Sequence, residues 1–159
     1  SQVTPLNFTD YPVSHSLLLV LVWGALFGVV YYGITRNRSG AILLGSLVVS
    51  HWLLDLIVHI PDLPLYPGNS PKVGLGLWNS TAITLIVEGA IFTAGILLYV
   101  RAKKALGRKI SWKFWSLIVF LLLIYTMNLF GPPPPNVEAI AWAGHLQWLF
   151  IPWAWWADR

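Results

Sequence analysis

Ser50-His51-Trp52-Leu53-Leu54-Asp55-Leu56-Ile57-Val58-His59 places two imidazoles and a carboxylate, four residues apart each time, in a stretch otherwise apolar enough to cross a bilayer. On an α-helix that spacing drifts only about 40° per step, so the three side chains share one face, spread along roughly 12 Å of axis. Ionisable groups are costly at membrane depth, so an intramembrane His-Asp-His stripe reads by default as a functional site completed by neighbouring helices. A metal site is the leading expectation.

Working outward, the chain has 159 residues, of which 57% are hydrophobic and 10% charged, with mean hydropathy +0.67. An ordinary soluble domain carries roughly 25% charged residues. The apolar segments run for ~20 residues, not the ~10-residue alternation of barrel strands. The expected fold is therefore all-α: a polytopic transmembrane helix bundle of about five spans, forming one domain over residues 1–159. Cysteine is absent, which excludes disulfides, thiolate ligands, iron–sulfur clusters and cysteine nucleophiles. Any metal must be held by nitrogen and oxygen.

The spans fall at 14–35, 40–59, 78–100, 112–130 and 137–156, separated by a basic turn at 36–40, a Pro/Gly-rich loop at 61–77, a basic loop at 101–113 and Gly131-Pro132-Pro133-Pro134-Pro135. Eight of the ten basic residues lie in the two basic connections. The net charge of +4 and the pI near 9.6 are therefore a topology signal and not a nucleic-acid footprint, and no nucleic-acid partner is expected. By the positive-inside rule both basic connections are cytoplasmic, the N-terminus and the 61–77 loop lie outside, and the C-terminus lies inside. The chain opens Ser1-Gln2 with no initiator Met, and an outside N-terminus leads us to expect a preceding membrane helix. The last span carries Glu138, His145, Gln147 and Pro152, so a re-entrant or interfacial helix is its alternative. Gly24 and Gly28 form a small-xxx-small pair suited to close helix contact.

Depth arithmetic gathers the polar residues toward the outer leaflet. His15 and His59 lie near the outer interface, Asp55 one turn deeper than His59 and His51 two turns deeper; Glu88 and His145 reach similar depth to His51. The expected arrangement is a pocket open to the outside, floored by His51 and Glu88. Imidazole plus carboxylate is a ligand set for zinc, iron or manganese, and a carboxylate left over can act as general base. The structural alternatives are His51 bonded to Asp55 or Ser50, His59 as a wet helix-end residue, Glu88 as a protonated carboxyl bonded to Thr84, and His145 as a packing residue. Asn79 reads as a helix cap and Asn128 as an interhelical hydrogen bond. Gly74-Leu75-Gly76-Leu77-Trp78 lacks the strand and the Lys-Ser/Thr of a nucleotide loop. It reads better as a lid over the pocket, with Lys72 the basic residue on that side.

Through Ser14-His15-Ser16 and Ser50-His51-Trp52-Leu53-Leu54-Asp55, over roughly residues 12–64, the chain resembles the YdjM-like family of bacterial inner-membrane proteins, described as membrane-bound metal-dependent hydrolases. The family often has a His-Arg pair five residues before the His15 position, where this chain has Asp10-Tyr11. The resemblance implies a bacterial inner-membrane location and His15, His51 and Asp55 as metal ligands or catalytic residues. Added to the depth argument, it gives a divalent metal (Zn, Fe or Mn) on His15, His51 and Asp55, with Glu88 as fourth ligand or general base and His59 near the mouth. The expected reaction is hydrolysis of an ester or phosphoester of a lipid-like or periplasmic substrate, with Asp55 and Glu88 catalytic. Two other classes stay open. One is a non-catalytic subunit of a larger respiratory or photosynthetic type membrane complex, packing lipids and other membrane subunits; the other is a haem or chlorophyll-type pigment on His51 or His145.

Overall fold

The computed structural model describes Val3 and residues 11–159; Ser1, Gln2 and Asp10, on which the upstream helix and the departure from the family pattern bear, lie outside the described residues. Among the described residues seven helices follow in order: α1 (Pro12–His15), α2 (Leu17–Thr35), α3 (Arg38–Val58), α4 (Thr81–Ala105), α5 (Trp112–Phe130), α6 (Val137–Leu146) and α7 (Phe150–Asp158). A small antiparallel ribbon pairs β1 (Leu63–Pro64) with β2 (Lys72–Val73). The fold is all-α, and α2 to α5 are long and apolar enough to cross a membrane. This is a helical membrane protein. The chain packs as two compact units, Ser1–Ile86 and Val87–Arg159.

In the first unit α2 and α3 form a hairpin. Ser16 caps α2, its Oγ accepting from the Leu19 N–H at 3.3 Å. Arg36 ends the helix in the left-handed region (φ 56°), and Asn37 caps α3 through Gly40 N–H at 3.0 Å. Where the helices cross, only glycine fits: a Cβ on Gly45 would stand 2.8 Å from the Gly24 carbonyl oxygen, and one on Gly24 would stand 2.9 Å from that of Gly45. The expected small-residue contact is thus an internal one between α2 and α3. Gly45→Ala is expected to lower the thermal midpoint in detergent by the equivalent of about 1–3 kcal/mol. Gly33→Ala, with open space around it, is the matched control and should not fall. Equal midpoints for the two variants would contradict backbone contact at the crossing.

α3 ends at Val58 with His59 extended, and Pro61 bars any continuation, because Ile60 before it is driven out of helical geometry. The chain then returns as the ribbon, tied to α2 by the Leu18 N–H donating to Leu65 O at 3.0 Å. Helix C-termini leave carbonyls without partners. Here the next segment supplies donors: Leu75 N–H to Leu56 O at 2.8 Å and Gly76 N–H to His59 O at 2.7 Å.

In the second unit α4 ends in a Schellman motif. Gly107 has φ 70°, its N–H donates to Lys104 O at 2.9 Å, and Arg108 N–H donates to Lys103 O at 3.0 Å. Tyr99 stacks on Phe114 with ring centroids 4.5 Å apart, and Phe120 packs on Trp153 at 4.8 Å. The expected last span differs in form: α6 and α7 are joined by a 3-10 turn at Gln147–Leu149. Pro152 has no N–H to give the Trp148 carbonyl, and its ring crowds that oxygen, so α-helical bonding cannot run through.

Asp158 closes this unit, its Oδ1 accepting from Lys103 Nζ at 2.7 Å and Tyr99 Oη at 2.7 Å. The Lys103 ammonium, then Tyr99, hold the Asp158 carboxyl below the usual carboxylate range. A carboxyl depressed on folding stabilises above its unfolded value, near 3.9, and loses that contribution as pH falls through the folded value. Acid titration of α7 docking, followed by Trp fluorescence, should therefore show a loss below about pH 4 that Asp158→Asn removes; an identical profile in the variant would contradict the assignment.

Candidate functional site

The stripe that opens the sequence divides at the end of α3. His51 and Asp55 are both helical and meet as their spacing requires, His51 Nε2 lying 2.9 Å from Asp55 Oδ2. His59 follows the last helical residue with extended backbone (φ −67°, ψ 146°), so its side chain leaves the face. In its place comes His15. It sits on α1, separated from α2 by the extended Ser16, and its Nε2 reaches 3.5 Å from the same Asp55 oxygen. The His15 and His51 rings stand edge to face at 5.0 Å.

One donor atom from each of His15, His51 and Asp55 lies within 4.8 Å of the others. The two measured contacts, 2.9 and 3.5 Å, bracket the separation of about 3.4 Å between ligands of a tetrahedral ion with ~2.1 Å bonds. Asp55 Oδ2 is shut off from solvent and accepts no well-aligned hydrogen bond among the described residues, although two imidazole nitrogens face it. A buried carboxylate oxygen left so is costly unless a positive charge meets it. The convergence of two imidazole nitrogens on one solvent-excluded carboxylate oxygen, an N,N,O donor set, therefore fits a divalent cation.

Neighbouring groups aim these donors. Ser14 Oγ stands 2.7 Å from His15 Nδ1; with the proton on Nδ1 the ring donates there and turns its Nε2 lone pair toward Asp55, the orientation that outer partners impose on ligating histidines. The buried Trp52 donates its Nε1–H to the His15 carbonyl at 2.9 Å, tying α1 to α3. Sequence reasoning missed Trp52. The available signal was that a buried indole seeks an acceptor for its N–H, and that Trp52 lies a quarter turn from His51 on the helix.

His59 is enclosed, 7% exposed, with Nδ1 2.9 Å from Asp62 Oδ1 and its ring 4.5 Å from that of Trp78. It belongs to a neighbouring node and not to the three-donor group. Tyr11 joins the two nodes: its ring lies edge-on to His15 at 4.7 Å and 6.4 Å from the ring of His59. Burial, then the Asp62 carboxylate, push that phenol well above its usual range.

Glu88 lies on α4 in the second unit, where its Oε2 accepts from Tyr125 Oη at 2.6 Å. The three-donor group does not include it. Thr84, fully buried, has its hydroxyl within 3.0 Å of the Leu77 and Ser80 carbonyls. His145 is exposed at the end of α6, 6.4 Å from the Trp142 ring. At the start of α4 it is Ser80, not Asn79, that accepts a helix N–H, from Ile83 at 3.4 Å. Set against known proteins, the chain matches no family model, no curated protein and no solved structure.

Proposed function

We propose that His15, His51 and Asp55 hold a divalent cation and that the protein is a membrane-bound metal-dependent hydrolase. The observation that carries this reading is the solvent-excluded Asp55 oxygen facing two imidazole nitrogens. The resemblance of the His15 and Asp55 motifs to the YdjM-like family supports it and adds the bacterial inner membrane as location. With both basic connections on the cytoplasmic side, the donor group faces the outside. The substrate class is an ester or phosphoester of a lipid-like or periplasmic compound.

Zinc, iron or manganese bound there would supply Lewis acidity and an activated water. The chain's own part is to position. Ser14 and Trp52 fix His15, helical periodicity fixes His51 against Asp55, and the side chain of His51, 48% exposed, leaves the donor face open to substrate. Three protein donors leave a coordination position for substrate, as catalytic sites require. Glu88 is engaged by Tyr125 and is left out of the proposed donor set.

Elemental analysis of the purified protein tests this. Stoichiometric Zn, Fe or Mn is expected in the native chain and its loss in the His51→Ala/Asp55→Ala variant. A native sample without metal, after growth and reconstitution with all three, would sink the proposal. The subunit reading draws on one observation: at most 11% of any candidate span is buried within the chain, leaving wide helix surface for lipid or other subunits. Copurification of stoichiometric partners, with normal assembly of the metal-free double variant, would put that reading in its place. A colourless preparation would end the pigment alternative.

A further inference from the structure

The basic end of the second unit is more than a topology signal. The last turn of α4, the turn at 106–111, the first turn of α5 and the end of α7 converge there through Asp158, which Lys103 and Arg108 contact at 2.7 and 3.9 Å. Lys103 is buried by that pairing. Lys104, Arg108, Lys109 and Arg159 are exposed and Lys113 partly so, while Glu138 and Asp158 are the only carboxylates after Glu88 in the sequence. The face therefore carries a surplus of positive charge that its own acids do not neutralise.

The same elements carry indoles, and the cations stand on them. Lys113 Nζ lies 5.0 Å from the centroid of the Trp156 ring and the Arg159 guanidinium 3.4 Å from that of Trp155. Trp156 meets Trp112 edge to face at 5.2 Å, with Trp112 69% and Trp155 58% exposed. Exposed indoles settle at the boundary between acyl chains and headgroups, and cations placed just beyond them reach the phosphate layer. The surface lies at the ends of two membrane-crossing helices, where a soluble polyanion would find the indoles without a partner and an anionic lipid meets both features.

We propose that this end of the second unit is a binding surface for anionic phospholipids, with Lys104, Arg108, Lys109, Lys113 and Arg159 engaging the headgroup and Trp112, Trp155 and Trp156 seated in the headgroup boundary. The Lys103 to Asp158 pairing builds the surface by docking the end of α7 beside α5. It does not depend on the metal centre.

Native mass spectrometry of the detergent-purified full chain, offered equal phosphatidylglycerol and phosphatidylcholine of matched acyl chains, tests it. We expect phosphatidylglycerol to be retained roughly tenfold or more over phosphatidylcholine at low salt, since several basic residues act together and salt screens them. The Lys104→Gln/Arg108→Gln/Lys109→Gln/Lys113→Gln variant should lose the preference, while Lys104→Arg/Lys109→Arg/Lys113→Arg should keep it. Equal retention by the native chain would overturn the proposal, as would a preference that survives in the Gln variant. Should the Gln variant fail to fold, Lys109→Gln alone, in the exposed turn, must lower the ratio or the proposal fails. Inorganic phosphate alone is the remaining arm: displacement of the lipid by millimolar phosphate would identify a free-phosphate site and overturn the lipid assignment, whereas no displacement supports it.

Discussion

Asp55→Asn is expected to abolish binding of the proposed metal while leaving the helices intact, the largest functional effect expected of any single substitution. The carboxylate oxygen is the one atom that both histidines approach, at 2.9 and 3.5 Å, so its charge holds the donor set together. The amide keeps the shape and removes that charge, leaving only the two imidazoles as strong donors. Loss of an outer-shell partner already costs roughly 10–100-fold in metal affinity, and loss of an anionic ligand should exceed that. Metal content by elemental analysis and helicity by circular dichroism give the readout. A second measurement separates this from structural glue. With metal removed by a chelator, the native chain keeps a buried carboxylate oxygen without a well-aligned donor, so Asp55→Asn should melt no lower than the native apo protein. A variant that retains stoichiometric metal, or that melts well below native in the apo state, would show that Asp55 serves packing instead.

Gly74→Ala is expected to have the largest structural effect. A Cβ on Gly74 would overlap the carbonyl oxygens of His59 and Ile60, and these are backbone atoms that cannot rotate aside. The segment must lift, which breaks the bonds from Leu75 N–H to Leu56 O and from Gly76 N–H to His59 O and leaves two carbonyls at the end of α3 without partners. Overpacking costs about 1–3 kcal/mol, and each buried acceptor left unsatisfied adds about 1–3 kcal/mol. The thermal midpoint should fall accordingly, and limited proteolysis within 61–77 should be faster than in the native chain. Gly68→Ala keeps the open space around Gly68 but strains its φ of 90°, so it serves as a control for strain without overlap. A Gly74→Ala chain as resistant as native would mean that the segment does not pack on α3.

Much of this architecture is legible in the residues because it is local. Apolar runs of membrane length, the glycine and proline breaks, and the four-residue spacing of His51 and Asp55 depend only on helix geometry. Pro61 shows in the sequence that α3 cannot continue past Ile60; that the helix already stops at Val58, with His59 extended, is seen only in the structure. The interruption near Gln147 is likewise traceable to Pro152.

What sequence could not supply is the rotation of one element against another. Periodicity says that His51 and Asp55 share a face; it does not say which face meets α1. That choice is made by contacts between residues far apart in the chain: glycine against glycine where α2 crosses α3, and Trp52 Nε1–H against the His15 carbonyl. The same long-range packing pairs Glu88 with Tyr125 and His59 with Trp78. The sequence by itself determined a helical membrane protein without cysteine, in which any metal would be held by nitrogen and oxygen, and it determined the His51 and Asp55 pair, because a helix imposes that neighbourhood within one turn. Only the tertiary structure decided that His15 completes the group and that His59 leaves it, because both outcomes depend on how separate segments pack and where a helix stops.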